Sequence, residues 1–133
     1  MSPLRFAAIA TAAATAVAAT AVPVQAAEFA PFDRAAFKAA QTQGRPILLD
    51  VHAWWCPVCR SQARTIKRVT TSDAFAKLVV FRINYDSQKD VWRSFNVQKQ
   101  ATLIAFHGTR ETGRIAYMTD QVKIADLIAS TNR

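Results

Sequence analysis

The stretch that most constrains the fold is "PILLDVHAWWCPVCR", residues 46–60. Its first eight residues form a nearly continuous apolar run of strand length, interrupted by Asp50. Such a run predicts a central strand that is covered on both faces. The only two cysteines of the chain, Cys56 and Cys59, follow almost at once, and "RSQARTIKRV" continues with apolar or small residues at helical spacing. The sequence therefore predicts a buried strand leading into a helix whose first turn contains both cysteines.

Further elements are predicted on either side of this unit. Asp33 is suited to cap a helix over residues 34–43, and Gly44 stands where a left-handed residue can end it. A short helix at 72–78, a buried strand at 79–84 and a helix at 87–96 should follow. Strands at 102–107 and 113–118, joined by "GTRET", indicate an antiparallel hairpin. A final helix, capped by Asp120, should bury Val122, Ile124, Leu127 and Ile128.

This order of elements predicts an α/β domain. A strand, helix and strand unit, followed by a strand hairpin and a last helix, gives a mixed four-stranded sheet with helices on both faces. No repeat or low-complexity tract interrupts residues 27–133, so this part of the chain is expected to be a single domain, and a monomer.

The first 26 residues have a different composition. Arg5 is followed by "FAAIATAAATAVAATAV" and then by the light residues "VQA". This layout is typical of a secretory signal peptide, cleaved after Ala26 or one residue later. An uncleaved anchor is the alternative, but the run is short and alanine-rich against the ~20 apolar residues of a spanning helix. We expect a mature protein in a bacterial periplasm, where disulfides can form.

The charge pattern argues against nucleic acid as a partner. The chain has 17 basic and 9 acidic residues and a net charge of +8. The basic residues are scattered, and no aromatic platform accompanies them. A solvated basic surface explains them, although attraction to acidic partners or lipid surfaces stays open.

Several kinds of cysteine site must be considered for Cys56 and Cys59. A structural disulfide between them would close a loop of two residues, which restricts the unfolded chain very little. Haem attachment of the usual kind needs histidine at position 60, which is Arg60 here. A closed zinc site needs two more ligands, and His52 and His107 are the only histidines.

The stretch "ILLDVHAWWCPVC" resembles the active-site strand and helix start of thioredoxin-like proteins. "FRINYD" at 81–86 resembles the second core strand of that family, and "ATLIAFHGTRETGR" resembles its terminal hairpin, so the resemblance covers about residues 33–130. Within the family, "GRPILLDVHAWWCPVCR" is most similar to periplasmic domains related to the terminal domain of a membrane-embedded electron conductor for disulfide reduction. The resemblance implies a thioredoxin fold and a redox-active disulfide between Cys56 and Cys59.

Thiol–disulfide exchange requires a thiolate, and a helix start favours one. Cys56 is therefore expected to attack, with Pro57 presetting the first turn, and Cys59 to resolve the mixed disulfide. Asp50 is costly to bury unless it is protonated, bonded or reactive. In the family, the matching acid lies beneath the cysteines and helps to move the proton of the buried one.

The resemblance also implies a groove for the partner chain. Trp55 is expected to border Cys56 more closely than Trp54, His52 to pack as an aromatic residue would, and Arg60 to face solvent. The cis-proline of most family members is replaced by Ala101, which follows Gln100. We expect the bond between these two residues to be trans, because a cis bond before a residue other than proline costs ~3 kcal/mol or more.

The favoured function is thiol–disulfide exchange with other redox proteins or with client proteins that carry disulfides, on the reducing side, without a cofactor. A membrane-bound electron donor is compatible with this class. Two alternatives stay open: a thiolate site that binds or delivers copper, zinc or an iron–sulfur cluster, with His52 as a further ligand, and a binding protein that lost turnover. The replacement of proline by Ala101 favours both of these alternatives.

Overall fold

The computed structural model describes residue 3, residues 16–23 and residues 25–133. The predicted signal peptide, residues 1–26, lies mostly outside this described part. None of the helices in the described residues is both long and apolar enough to cross a membrane. The elements are β1 (Glu28–Pro31), α1 (Arg34–Thr42), β2 (Pro46–His52), α2 (Pro57–Val69), a 3₁₀ turn (Asp73–Phe75), β3 (Val79–Asn84), α3 (Lys89–Ser94), β4 (Thr102–His107), β5 (Arg110–Ala116) and α4 (Gln121–Ser130).

The strands form one mixed sheet in the order β1-β3-β2-β4-β5. The predicted central strand is confirmed: β2 pairs in parallel with β3 and antiparallel with β4. The sheet has five strands instead of the predicted four, because β1 pairs in parallel with the outer edge of β3. Its sequence, "EFAP", is short, ends in proline and has no periodic pattern of its own. The segment is a strand because it pairs with its neighbour in the sheet.

Side chains that alternate along β2 divide the interior into two cores. Ile47, Leu49 and Val51 pack on one face of the sheet with Phe37 of α1 and Trp92 of α3. On the other face, Leu48 packs with Ile66 of α2 and with Ile124, Leu127 and Ile128 of α4. Since side chains alternate with a period of two, Asp50 belongs to the second face, on the same side as α2.

Both predicted caps are confirmed. The Asp33 side chain accepts from the Ala36 N–H, and the Asp120 side chain accepts from the N–H groups of Val122 and Lys123. Gly44 has φ +67°, as predicted for a left-handed helix end. The predicted helix at 72–78 is shorter, a single 3₁₀ turn at Asp73–Phe75.

Two predictions near the C-terminus are wrong. Strand β5 begins at Arg110, not at residue 113, because a two-residue turn with Gly108 at φ +58° closes the hairpin and its polar residues lie on an exposed edge strand. Val122 is exposed, since α4 faces the core through positions 124, 127 and 128. His107, at the end of β4, is half-buried, with Nδ1 2.8 Å from the Thr131 carbonyl oxygen.

Candidate functional site

The turn between β2 and α2 positions the two cysteines. Cys56 is the N-cap of α2, with extended φ −89° and ψ 113°, and Pro57 occupies the first turn of the helix. Only Cys59 lies inside the helix. The prediction that the first turn of α2 contains both cysteines is therefore wrong for Cys56, which caps the helix. The Cys59 N–H donates to Cys56 Sγ at 3.2 Å. A sulfur in this position is stabilised as an anion by the unpaired N–H groups of the helix start.

The cysteines lie in a small cluster of their own, packed with Ala53 and Ala101. Cys56 keeps 2% of its surface exposed and Cys59 keeps none. Burial, together with the side-chain hydrogen bond to Cys56, raises the pKa of Cys59 to about 12. Cys59 is therefore a thiol at neutral pH, and it needs a proton acceptor before it can attack a disulfide.

Asp50 lies in the middle of β2 with 1% of its surface exposed. Its Oδ2 accepts from Arg82 Nε at 3.2 Å and lies 3.1 Å from Arg82 Nη2. Its Oδ1 accepts no hydrogen bond from the residues that the structure describes. Burial raises the pKa of Asp50, and the charge of Arg82 only partly opposes this rise. The negative charge of Asp50 is one of the influences that raise the pKa of Cys59, so the two groups interact.

His52 follows two residues later on the same face of β2. Its Nδ1 is 3.8 Å from Asp50 Oδ2, too far for a hydrogen bond, and has no partner among the described residues. Burial is the main cause that lowers the pKa of His52; the negative charge of Asp50 partly opposes it, and the charges of Arg82 and Arg60 lower the pKa further. A neutral imidazole therefore lies beside the buried carboxyl, where the resemblance predicted mere packing.

Exchanging Asp50 for asparagine should make stability less dependent on pH. Because the pKa of Asp50 is raised above 3.8, the folded protein binds this proton more tightly than the unfolded chain does. The contribution is complete below pH 3.8 and is lost as the pH rises through the folded pKa. The Asp50→Asn variant should therefore gain stability relative to the parent as the pH rises.

Urea unfolding of both proteins between about pH 4 and 9 measures this gain. The exposed Asp126 on α4 supplies the control, since Asp126→Asn removes a carboxyl without changing the buried site. A constant difference between parent and Asp50→Asn at every pH would mean that the Asp50 carboxyl is not titrating across this range.

The two tryptophans lie in the turn after β2, outside the strand. Trp54 is 77% exposed and Trp55 is 43% exposed. Trp55 Nε1 donates to both carboxylate oxygens of Asp86, at 3.2 and 3.1 Å, and its ring meets Tyr85 edge to face. Trp55 is thus held in place by Asp86 and Tyr85, whereas the ring of Trp54 is more accessible to solvent. Arg60 faces solvent, as predicted, and donates from Nη1 to the Trp54 carbonyl oxygen.

The loop before β4 brings Ala101 against the cysteines. Ala101 is fully buried and has φ +59°, a left-handed conformation that alanine adopts at a cost of roughly 1–2 kcal/mol. No cis bond occurs in the described residues, so the predicted trans bond between Gln100 and Ala101 is confirmed. The Ala101 N–H donates to the Val51 carbonyl oxygen at 2.8 Å. This bond ties the loop to the end of β2, and proline could not form it.

Gln62 is the site residue that sequence reasoning missed most clearly. It is buried in α2, and its Nε2 donates to the carbonyl oxygens of Ala101 and Met118 at 3.1 and 3.0 Å. Gln100 Nε2 adds a bond of 2.6 Å to the Tyr117 hydroxyl. A glutamine on the apolar face of a helix is the signal that could have identified Gln62, as a buried amide needs partners.

The arrangement provides fewer ligands than a closed, four-coordinate zinc site requires. Within the described residues, no group of three or more histidine, cysteine, aspartate or glutamate side chains is placed to hold a metal ion. The site instead combines two thiols, one of them at the N-cap of α2, with a buried carboxyl. These are the parts needed for thiol–disulfide exchange.

Comparison with known proteins agrees with this chemistry. The thioredoxin family model matches residues 28–130. Thioredoxin 1 of Chlorobaculum tepidum is 32% identical over 81 residues, which cover 58% of this chain and 79% of that protein. The crystal structure of Trxlp from Edwardsiella tarda is 37% identical, with a TM-score of 0.73, covering 76% of this chain and 98% of that one.

A longer relative is also similar. The bifunctional thioredoxin reductase/thioredoxin of Mycobacterium leprae is 28% identical over 83 residues, which cover 62% of this chain but only 18% of that protein. The chain belongs to the thioredoxin family. It has the thioredoxin fold and is a thiol–disulfide oxidoreductase, and membership in the family implies redox interactions with client proteins that contain disulfides.

Proposed function

We propose that this protein works in a bacterial periplasm and donates electrons from Cys56 and Cys59 to disulfides in client proteins. The observation that carries the reducing direction is the match of residues 28–130 to the thioredoxin family, since thioredoxin has a reduction potential of about −270 mV, far below the ~−120 mV of the strong periplasmic oxidant. That oxidant is strong because its reduced form is stabilised. Burial raises the pKa of Cys59 to about 12, so Cys59 contributes no stabilised anion to the reduced form.

The location is supported by the sequence before the domain. Residues 1–26 have the basic start, apolar stretch and light residues of a secretory signal. In such a compartment disulfide formation has dedicated oxidants, while reducing power must be delivered. The similarity of residues 44–60 to domains of a membrane electron conductor supports the same direction and a membrane-bound electron donor.

The first step uses the sulfur at the helix start. The Cys56 thiolate attacks one sulfur of the client disulfide, and the other client sulfur leaves as a thiolate. The helix N–H groups and the Cys59 N–H stabilise the Cys56 thiolate before attack. The client segment is expected to approach along the groove predicted from Trp55, Pro57, Gln100 and Ala101, of which Ala101 packs against Cys56.

The second step requires a base for Cys59. Asp50 Oδ1, which accepts no other hydrogen bond among the described residues, takes the Cys59 proton, while Arg82 holds Oδ2. The Cys59 thiolate then attacks Cys56 Sγ and forms the Cys56–Cys59 disulfide. The client leaves as a dithiol, having gained two electrons that the enzyme lost, and a thiol donor restores the enzyme.

The reduction potential tests the direction. We expect the Cys56–Cys59 couple to lie near ~−200 mV or below, on the reducing side of the strong periplasmic oxidant at ~−120 mV. Equilibration of the protein with glutathione buffers, followed by acid trapping and thiol alkylation, measures it. A value close to ~−120 mV would reverse the proposed direction of electron flow.

A further inference from the structure

Helix α2 carries a stripe of basic side chains along its exposed face. The stripe consists of Arg60, Arg64, Lys67 and Arg68, all of them exposed. Their spacing of four, three and one residues places them on one side of the helix. The sequence "PVCRSQARTIKRV" contains no acidic residue, so the helix face is basic throughout.

Helix stability does not account for this stripe. Lys67 and Arg68 lie in the last turn, where cations are favourable. Arg60 lies near the helix N-terminus, whose partial positive charge opposes a cation. Arg64 is three or four residues from each of the other three, and like charges at these spacings destabilise a helix by roughly 0.2–0.5 kcal/mol per pair. Arg60 and Arg64 therefore do not stabilise the helix that carries them.

The rest of the domain does not neutralise the stripe either. Within the described part of the chain, none of its four members forms an ion pair. Arg60 donates to the carbonyl oxygen of Trp54, and Arg68 donates to Gln121 Oε1. These neutral acceptors orient two of the guanidinium groups and leave their charges uncompensated.

The stripe is continuous with the reactive end of the site. Arg60 is four residues beyond Cys56 and binds the carbonyl of Trp54, whose side chain is 77% exposed. At a rise of 1.5 Å per residue, the helix places Arg68 about 18 Å from Cys56. A partner that presents a disulfide to Cys56 has this basic surface directly beside it.

We propose that the basic stripe binds an acidic segment of the protein partner that exchanges disulfides with Cys56. This inference rests on the proposed function, because it concerns the partner of the same dithiol. Complementary charge at this position speeds the encounter and directs the partner disulfide to the helix start. The partner is thereby defined as a protein with aspartate or glutamate residues within about 18 Å of its reactive disulfide or dithiol.

A protein partner fits this surface better than a lipid one. Helices that lie on membranes insert an apolar face between the lipids. The other face of α2 is already buried in the domain through Cys59, Gln62, Thr65 and Ile66. Helix α2 therefore has no free apolar face to insert into a membrane, and only its charged face is exposed.

Peptide disulfides provide the test. Three synthetic peptides with the same disulfide and glutamate, glutamine or lysine residues on one flank are mixed with the pre-reduced protein in single-turnover stopped flow. The glutamate peptide should react about tenfold faster than the lysine peptide at low ionic strength. The difference should disappear near 1 M salt, where the screening length falls to about 3 Å.

A matched pair of variants separates the stripe from the overall positive charge. The test variant carries Arg64→Glu and Lys67→Glu on α2. The control carries Lys38→Glu on α1 and Lys89→Glu on α3, exposed positions on the helices of the opposite sheet face, with the same change in net charge. The preference for the glutamate peptide should vanish or reverse in the test variant and persist in the control.

Each result decides the matter. Equal rates for the three peptides, or an equal loss of preference in both variants, would overturn the acidic partner and leave the proposed function standing. Failure to reduce any peptide would overturn the proposed function as well. Stripe-dependent binding to phosphatidylglycerol vesicles, without a preference among the peptides, would overturn the protein partner in favour of a membrane surface.

Discussion

Replacing Cys56 by serine is expected to abolish reduction of a protein disulfide such as that of insulin, down to the uncatalysed background. A hydroxyl at this position cannot supply the sulfur anion that attacks the client, although the helix N–H groups would still be present. Insulin precipitation with dithiothreitol as donor measures the loss. Serine is close to cysteine in size, so the unfolding midpoint should change little.

Replacing Cys59 by serine should give a different failure. The first attack remains, but the mixed disulfide between Cys56 and the client has no resolving thiol, so a covalent complex accumulates on a non-reducing gel. Ser61→Ala, two residues further along α2, serves as the matched control and should retain turnover. Turnover by Cys56→Ser, or a trapped complex formed by it, would show that Cys59 attacks first and would reverse the two roles.

Replacing Ala101 by proline, which would restore the residue that most of the family carries, is expected to destabilise this protein by about 3 kcal/mol or more. Proline holds φ near −65°, whereas Ala101 has φ +59°. Proline also lacks the N–H that Ala101 donates to the Val51 carbonyl oxygen. Against a total stability of roughly 5–15 kcal/mol, such a loss is large and should shift the urea midpoint clearly.

Replacement of Ala101 by glycine is the matched control. Glycine adopts positive φ without strain and keeps the N–H, but it gives the unfolded chain more freedom, so stability should stay within about 1 kcal/mol of the parent. A proline variant as stable as the parent would show that the loop before β4 moves to a second arrangement. Insulin reduction by that variant would then report whether the groove regains broader client use.

Much of the site could be predicted from a few residues. Asp50 in an apolar run, followed six residues later by Cys56, indicates a buried acid behind a helix-start thiol because strands and helices have fixed geometries. The caps at Asp33 and Asp120 follow from local chemistry in the same way. These features depend on neighbours in sequence, and the structure shows Asp50 buried in β2 and Cys56 at the N-cap of α2.

Contacts between distant segments could not be predicted in this way. Arg82 meets Asp50 because β3 pairs with β2 in register, and Gln62 reaches Ala101 because α2 lies over the sheet. The left-handed φ of Ala101 likewise has no signal in "QKQATL", since alanine shows no preference for that conformation.

The sequence by itself determined a strand-to-helix dithiol and a buried acid before it, because local propensity and spacing are enough to place them. The tertiary structure alone decided that β1 joins the sheet, that Arg82 meets the buried carboxyl, and that a left-handed Ala101 packs against the cysteines. These depend on strand register and on packing between segments more than 30 residues apart. Such contacts are selected by the energy of the whole fold and not by the preferences of any one segment.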